Sequence, residues 1–245
     1  MSGFFIDYLY ANMQFPKFLT FNTWAYILDL FAPPHYALIV DQIQERYTPF
    51  IKNLATEDIE FFTWVGSEYS KDIKAMLNRA KLLGEYNQIS PLIDNLIIQI
   101  ASGIECQNDR SEELINLSAI WPDCITYIPP DPERYRIRGF HLPIIIAKKL
   151  SKLLKIEFKQ LTYKIATTQS QSELNRENRE LNIRDKFLSI TTNYSVLLGI
   201  TNPIIWLIDD ITTTGSTLAE VARTIKKQLP NCLIYGIVLS GGIDS

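Results

Sequence analysis

The stretch IIWLIDDITTTGSTLAEVARTIKKQLPNCLIYGIVL, residues 204–239, decides the fold. Residues 204–208 form an unbroken apolar run, the kind of strand that a parallel sheet buries on both faces. Leu218, Val221, Ala222, Ile225 and Leu229 recur at helical spacing and make one apolar stripe. LIYGIVL (233–239) is a second apolar strand. Strand, helix and strand within about 35 residues make a βαβ unit, which predicts an α/β fold with a parallel sheet flanked by helices.

The link between the first strand and the helix carries the chemistry. Two acids, Asp209 and Asp210, end the apolar run, and the turn ITTTGST (211–217) follows. Ligands of open α/β sheets bind beyond the carboxyl ends of the strands. A helix N-terminus favours a phosphate through its unpaired N–H groups and its dipole. Gly215 lets the backbone come close to an anion, and Thr212, Thr213, Thr214, Ser216 and Thr217 offer hydroxyl donors. The two acids would repel a phosphate, so they should face hydroxyl groups or a cation. A ribose 5-phosphate meets both demands. Either half alone could be an ordinary N-cap beside a solvated acidic turn; the combination is specific. The pattern GxxxxGK[ST] is absent, which argues against ordinary ATP or GTP hydrolysis.

Working outward, DCITYIP (123–129) reads as a short buried strand ending at Pro129-Pro130. DPERYRIRGF (131–140) reads as an arginine-rich loop, and IIIAKKLSKLL (144–154) as a helix with Pro143 in its first turn. FKQLTYKI (158–165) suggests a strand, and the apolar-poor 167–182 a solvent-facing loop. EDIEFFTWVG (57–66) suggests a strand ending at Gly66. From Ser67 two helices follow, broken near Gly84 and Pro91, with Ile73, Met76, Leu77 and Ala80 on one face. FNTWAYILDLF (21–31) should be a helix stopping before Pro33-Pro34, and IVDQIQERYTPFI (39–51) another short helix. Two regions are expected: residues 1–60, mainly helical, and residues 61–245, which hold the sheet.

The chain has 245 residues and a formal charge of -3, so bulk positive charge for nonspecific nucleic-acid binding is missing. That disfavours a single-strand DNA binder, which needs a basic groove. Cys106, Cys124 and Cys232 are too few and too far apart for a zinc cage or a disulfide framework. No signal peptide and no membrane span of about 18 apolar residues are evident, so a cytoplasmic protein is the default. His35 and His141 have no partner at metal-ligand spacing, and a structural or surface role is expected of each.

The segment 208–218 resembles the phosphoribosyl pyrophosphate (PRPP) motif of type I phosphoribosyltransferases. Three further blocks resemble the ComF/GntX branch, named for competence proteins that act in DNA uptake. EYSKDIKAMLNRAKLLGEY (68–86) is similar to the branch's lysine-bearing helix, with Lys81 and Gly84 in place. IPPDPERYRIRGF (128–140) matches its RGFNQ block at Arg134, Arg138, Gly139 and Phe140. TQSQSELNRENRELNIRDKF (168–187) matches at Thr168, Gln171, Leu174, Arg176, Arg179, Asn182 and Phe187. The departures are specific. ILDLFAPP (27–34) is followed by His35 and Tyr36 rather than by the family's cysteine-rich zinc module, so no zinc is expected. RGFNQ has become RGFHL, with His141 and Leu142. Thr213 stands where purine-salvage members carry a carboxylate, which disfavours a purine acceptor.

The resemblance implies a protein that binds PRPP with Mg²⁺ and transfers phosphoribose to an unidentified acceptor. The alternative is a non-catalytic PRPP or nucleotide binder that assists DNA-uptake machinery or a helicase. A homo-oligomer is compatible with either. Asp209 and Asp210 would hold the ribose hydroxyls directly or through Mg²⁺, and act as the catalytic acids. Thr212, Thr213, Thr214, Gly215, Ser216 and Thr217 would cradle the 5-phosphate. Arg134 and Arg138 are candidates for the pyrophosphate, because a guanidinium fits phosphate oxygens bidentately. Arg176 and Arg179 lie on the segment that would close over the substrate.

Overall fold

A computed structural model describes residues 48–55, 59–84, 89–102, 104–107, 114–117, 119–165 and 184–242. Its centre is a six-stranded sheet. The strands are β1 (Phe50–Ala55), β2 (Glu60–Val65), β5 (Cys124–Tyr127), β6 (Glu157–Phe158), β9 (Ile204–Thr212) and β10 (Leu233–Gly241). They run in the order β1-β2-β10-β9-β5-β6. β2, β10, β9, β5 and β6 pair in parallel, and only the edge strand β1 is antiparallel. The chain is therefore α/β with a mostly parallel central sheet flanked by helices. β3 (Glu105–Gln107) and β4 (Leu114–Asn116) form one two-stranded ribbon, and β7 (Thr162–Lys164) and β8 (Phe187–Ser189) another.

Each face of the sheet has its own core. α1 (Lys71–Leu83), α2 (Ser90–Ser102) and α4 (Leu142–Leu154) cover one face and bury Trp206 and Ile208. α5 (Ser216–Lys226) and a 3₁₀ helix (Thr191–Leu197) cover the other and bury Ile205 and Leu207. Alternate β9 residues thus serve opposite cores, as strand geometry requires. Burial on both faces is why 204–208 is apolar without alternation. The same alternation carries Asp209 toward the α5 face and Asp210 toward the α1 and α4 face.

Local signals explain the helix ends. Ser70 caps α1 by accepting the Ile73 N–H at 3.3 Å, and Gly84 ends it in the left-handed conformation. Ile73, Leu77 and Ala80 are buried as the periodicity predicts, with Met76 partly so. Leu218, Val221, Ala222 and Ile225 are buried along α5, while Leu229 lies beyond its end and is partly buried.

Five expectations change. DPERYRIRGF is no loop: Asp131, Pro132 and Gly139 cap and punctuate a helix, α3 (Pro132–Arg138). FKQLTYKI is not one strand. Phe158 belongs to the central sheet, and Thr162–Lys164 belongs to the separate β7–β8 ribbon. IVDQIQERYTPFI does not end as a helix, because Phe50 and Ile51 begin β1 and pair with Val65 and Trp64. β9 runs on through Asp209 to Thr212, since Ile211 and Thr212 still have β10 partners, so the loop proper is only 213–215. A division at residue 60 also passes through β2, and β1 lies in the same sheet as the rest. The helix expected at 21–31 and the segment 167–182 lie outside the described residues.

Candidate functional site

The candidate site opens at the carboxyl ends of β5 and β9. A cleft of about 180 Å³ is lined by Asp210 from β9, Thr217 from α5, Arg134 and Arg138 from α3, and Lys81 from α1. Lys164 of β7, Phe187 of β8 and His141 complete much of the wall. Arg134 and Arg138 also face a neighbouring hollow of about 570 Å³ toward Leu82 and Ile137. Four cations (Lys81, Arg134, Arg138 and Lys164) line the 180 Å³ cleft against two carboxylates, Asp131 and Asp210. Such a surplus suits a polyanionic ligand.

The acids differ sharply. The Asp210 carboxylate is 2.6 Å from the Lys81 ammonium. Burial alone would raise Asp210, but the Lys81 charge and hydrogen bond outweigh it and hold the group below its ordinary range. Lys81 is raised in turn: burial works against its charge, and the attraction of Asp210 wins. Among the described residues no cation forms an ion pair with Asp209; Lys81 acts on it only from a distance. Burial, then repulsion from Asp210, push it well above the carboxylate range, although its Oδ1 accepts the Asp210 N–H at 2.8 Å.

The loop after β9 is held from below. Lys52 of β1 is buried and donates its ammonium to the Thr213 carbonyl, and to the Gly242 carbonyl at 3.3 Å. Thr214 and Ser216 share a hydrogen bond between hydroxyls at 2.8 Å. Gly215 sits at the N-cap of α5 with φ 75° and offers the helix no side-chain cap. A Cβ there would lie 2.3 Å from Leu54, so glycine is required by space as well as by φ. The Ser216 N–H lies 3.5 Å from the Thr214 hydroxyl, and a helix N-terminus is a favoured place for an external anion.

The opposite wall is the β7–β8 ribbon. Lys164 is 3.2 Å from Asp131, the residue that caps α3. Burial lowers Lys164, against the pull of Asp131. The ribbon is fastened to α5 by buried Glu220, which accepts the Asp185 N–H at 2.9 Å and pairs with Arg223. His141 occupies the N-cap of α4 without capping it. Its Nε2 is instead 2.8 Å from the Ile128 carbonyl.

The structure thus brings Arg134, Arg138, Asp210 and Thr217 to one cleft. Asp209, Thr212, Thr213, Thr214, Gly215 and Ser216 lie on the adjoining strand end and loop rather than in its lining. Thr212 is buried in β9, so its hydroxyl faces the interior. Arg176 and Arg179 lie outside the described residues. Lys52, Lys164 and His141 take places in or beneath the site that their isolated positions in the sequence did not announce. Lys81 was visible only as one matched lysine of a helix. A comparison with protein-family models finds no match for the chain, and a comparison with curated proteins finds none either. Among the described residues no helix is long and apolar enough to cross a membrane.

Proposed function

We propose that the chain is a type I phosphoribosyltransferase-like protein of the ComF/GntX kind, which binds PRPP with Mg²⁺ and transfers its phosphoribose to an acceptor. The observation that carries this reading is the convergence of Asp210, Thr217, Arg134 and Arg138 on one cleft at the carboxyl edge of the sheet. PRPP has a phosphate, a dihydroxylated sugar and a pyrophosphate, and each finds a matching wall. The start of α5 takes the 5-phosphate. Asp210 accepts from a ribose hydroxyl while Lys81 keeps it ionised. Arg134 and Arg138 draw the pyrophosphate away from C1 and neutralise it as it leaves, which is the main service such a displacement needs.

Asp209 fits the accompanying Mg²⁺. It is a hard oxygen donor at the strand end beside Asp210, and Mg²⁺ is commonly held by one or two carboxylates together with substrate phosphates. When bound, the ion would offset the charge of the pyrophosphate leaving group. The test is calorimetric titration of Mg–PRPP into the wild type and into the pair Asp209→Asn, Asp210→Asn. Binding by the wild type and its loss in the pair support the reading. A pair that binds at wild-type strength would sink the site assignment.

A further inference from the structure

His141 stands in the cleft wall with one ring nitrogen committed and the other not. The Ile128 carbonyl can only accept, so Nε2 at 2.8 Å must carry the proton. In the neutral ring Nδ1 is then a bare lone pair. It makes no hydrogen bond to any described residue, and the side chain does not cap α4. The ring is further fixed by a tilted contact with Tyr127, at 6.4 Å between centroids. It lines the cleft beside Asp210, Lys81 and Thr217. An imidazole with one N–H anchored to a fixed acceptor and the other nitrogen open is the arrangement of an oriented base.

We propose that His141 is the general base of the transfer, taking on Nδ1 the proton of an N–H or O–H nucleophile as that nucleophile attacks C1 of bound PRPP. The proposal rests on the reading of the cleft as a PRPP site and adds the class of acceptor: a neutral nucleophile that loses a proton on transfer. The step balances. The nucleophile's electron pair forms the bond to C1, the C1–O bond breaks with its pair going to pyrophosphate, and the proton passes to Nδ1 and then to solvent. Asp210 on β9 favours the protonated ring, while Lys81 on α1 and Arg138 on α3 oppose it. Burial is the largest influence and lowers the ring below the ordinary imidazole range, so it is neutral and able to accept at pH 7.

The replacement His141→Gln separates anchoring from base. Glutamine can still donate an N–H to the Ile128 carbonyl but has no basic nitrogen. The probe is Mg–PRPP with water as the acceptor, read by pyrophosphate release from pH 5 to 8, alongside calorimetric binding. The wild type should release pyrophosphate at a level rate through neutral pH, falling on the acid side. His141→Gln should bind Mg–PRPP within about twofold, release it at least about 100-fold more slowly, and lose the acid limb. Equal rates, an unchanged pH profile, wild-type binding without release, or a variant that no longer binds would each overturn the base assignment. Failure of the wild type itself to bind Mg–PRPP overturns the cleft reading instead, and this proposal with it. A function-independent check is available because the chain has only two histidines. Nitrogen NMR of His141, assigned by the variant, should show Nε2 protonated and Nδ1 bare at pH 7; the opposite tautomer overturns the proposal.

Discussion

Replacing Lys81 by methionine tests the electrostatic centre of the cleft most sharply. The side chains of Lys81 and Asp210 are 27% and 10% exposed, with 2.6 Å between charged atoms. At an effective dielectric near 20, the gross attraction at that separation is about 6 kcal/mol. Desolvation offsets much of it in the intact pair, but removing one partner strands the other, at a cost of about 3–5 kcal/mol. The partial exposure of Lys81 puts this case at the lower end, about 3 kcal/mol. In the wild type, Asp210 is depressed and Lys81 raised, so the pair's contribution is complete from about pH 4 to about pH 10. It is lost as pH falls through the depressed Asp210 value or rises through the elevated Lys81 value. In Lys81→Met the largest influences lowering Asp210 are gone, and burial raises it against only the weaker pull of His141 and the Ile211 N–H, so its penalty is full at pH 7 and eases on acidification. With a urea slope of about 2 kcal/mol/M, the midpoint should fall by about 1.5 M at pH 7, and by clearly less at pH 5. Adding Asp210→Asn should recover most of the loss. An unchanged midpoint, or a deficit independent of pH, would refute the reasoning.

Three further outcomes are expected. Asp209→Asn should raise stability by about 1 kcal/mol at pH 7 while weakening Mg–PRPP binding, because site charges are often held at a cost to the fold. Asp209 is raised by folding, so its ionisation costs stability as pH rises, and the gain in thermal midpoint should shrink toward pH 4. Gly215→Ala combines a left-handed φ of 75° with a Cβ 2.3 Å from Leu54. About 1 kcal/mol for the former and about 1–3 for the latter should appear in denaturant unfolding. Arg134→Ala with Arg138→Ala should weaken PRPP at least about tenfold in calorimetry and leave ribose 5-phosphate nearly unaffected, since only the former carries a pyrophosphate. Equal losses for both ligands would remove the arginines from the pyrophosphate role.

The legible parts of the chain were those with their own local signal. The apolar run of β9, the stripe of α5 and the Gly84 end of α1 each satisfy a local rule, and each forms where its signal places it. α3 was hidden because no residue in it is buried, so it leaves no apolar period in the sequence. FKQLTYKI was misread because three residues, Lys159–Leu161, carry the chain from the central sheet to a separate ribbon without glycine or proline to mark the break. In the site, Asp209 to Thr217 were conspicuous because they are neighbours in sequence, although only Asp210 and Thr217 of that run line the cleft. Lys52, Lys81, Lys164 and His141 become site residues only through packing between distant elements: the Lys81–Asp210 contact joins α1 to β9. A lone lysine or histidine carries no such information along the chain.

On the proposed function, the loop after β9 and the start of α5 receive the 5-phosphate of PRPP while α3 receives its pyrophosphate. A crystal structure with PRPP and Mg²⁺ at saturating concentration tests this most directly. The 5-phosphate is expected against the backbone of residues 213–217, a ribose hydroxyl on Asp210, and the pyrophosphate facing Arg134 and Arg138. PRPP bound elsewhere, or a cleft that stays empty at saturation, would contradict it.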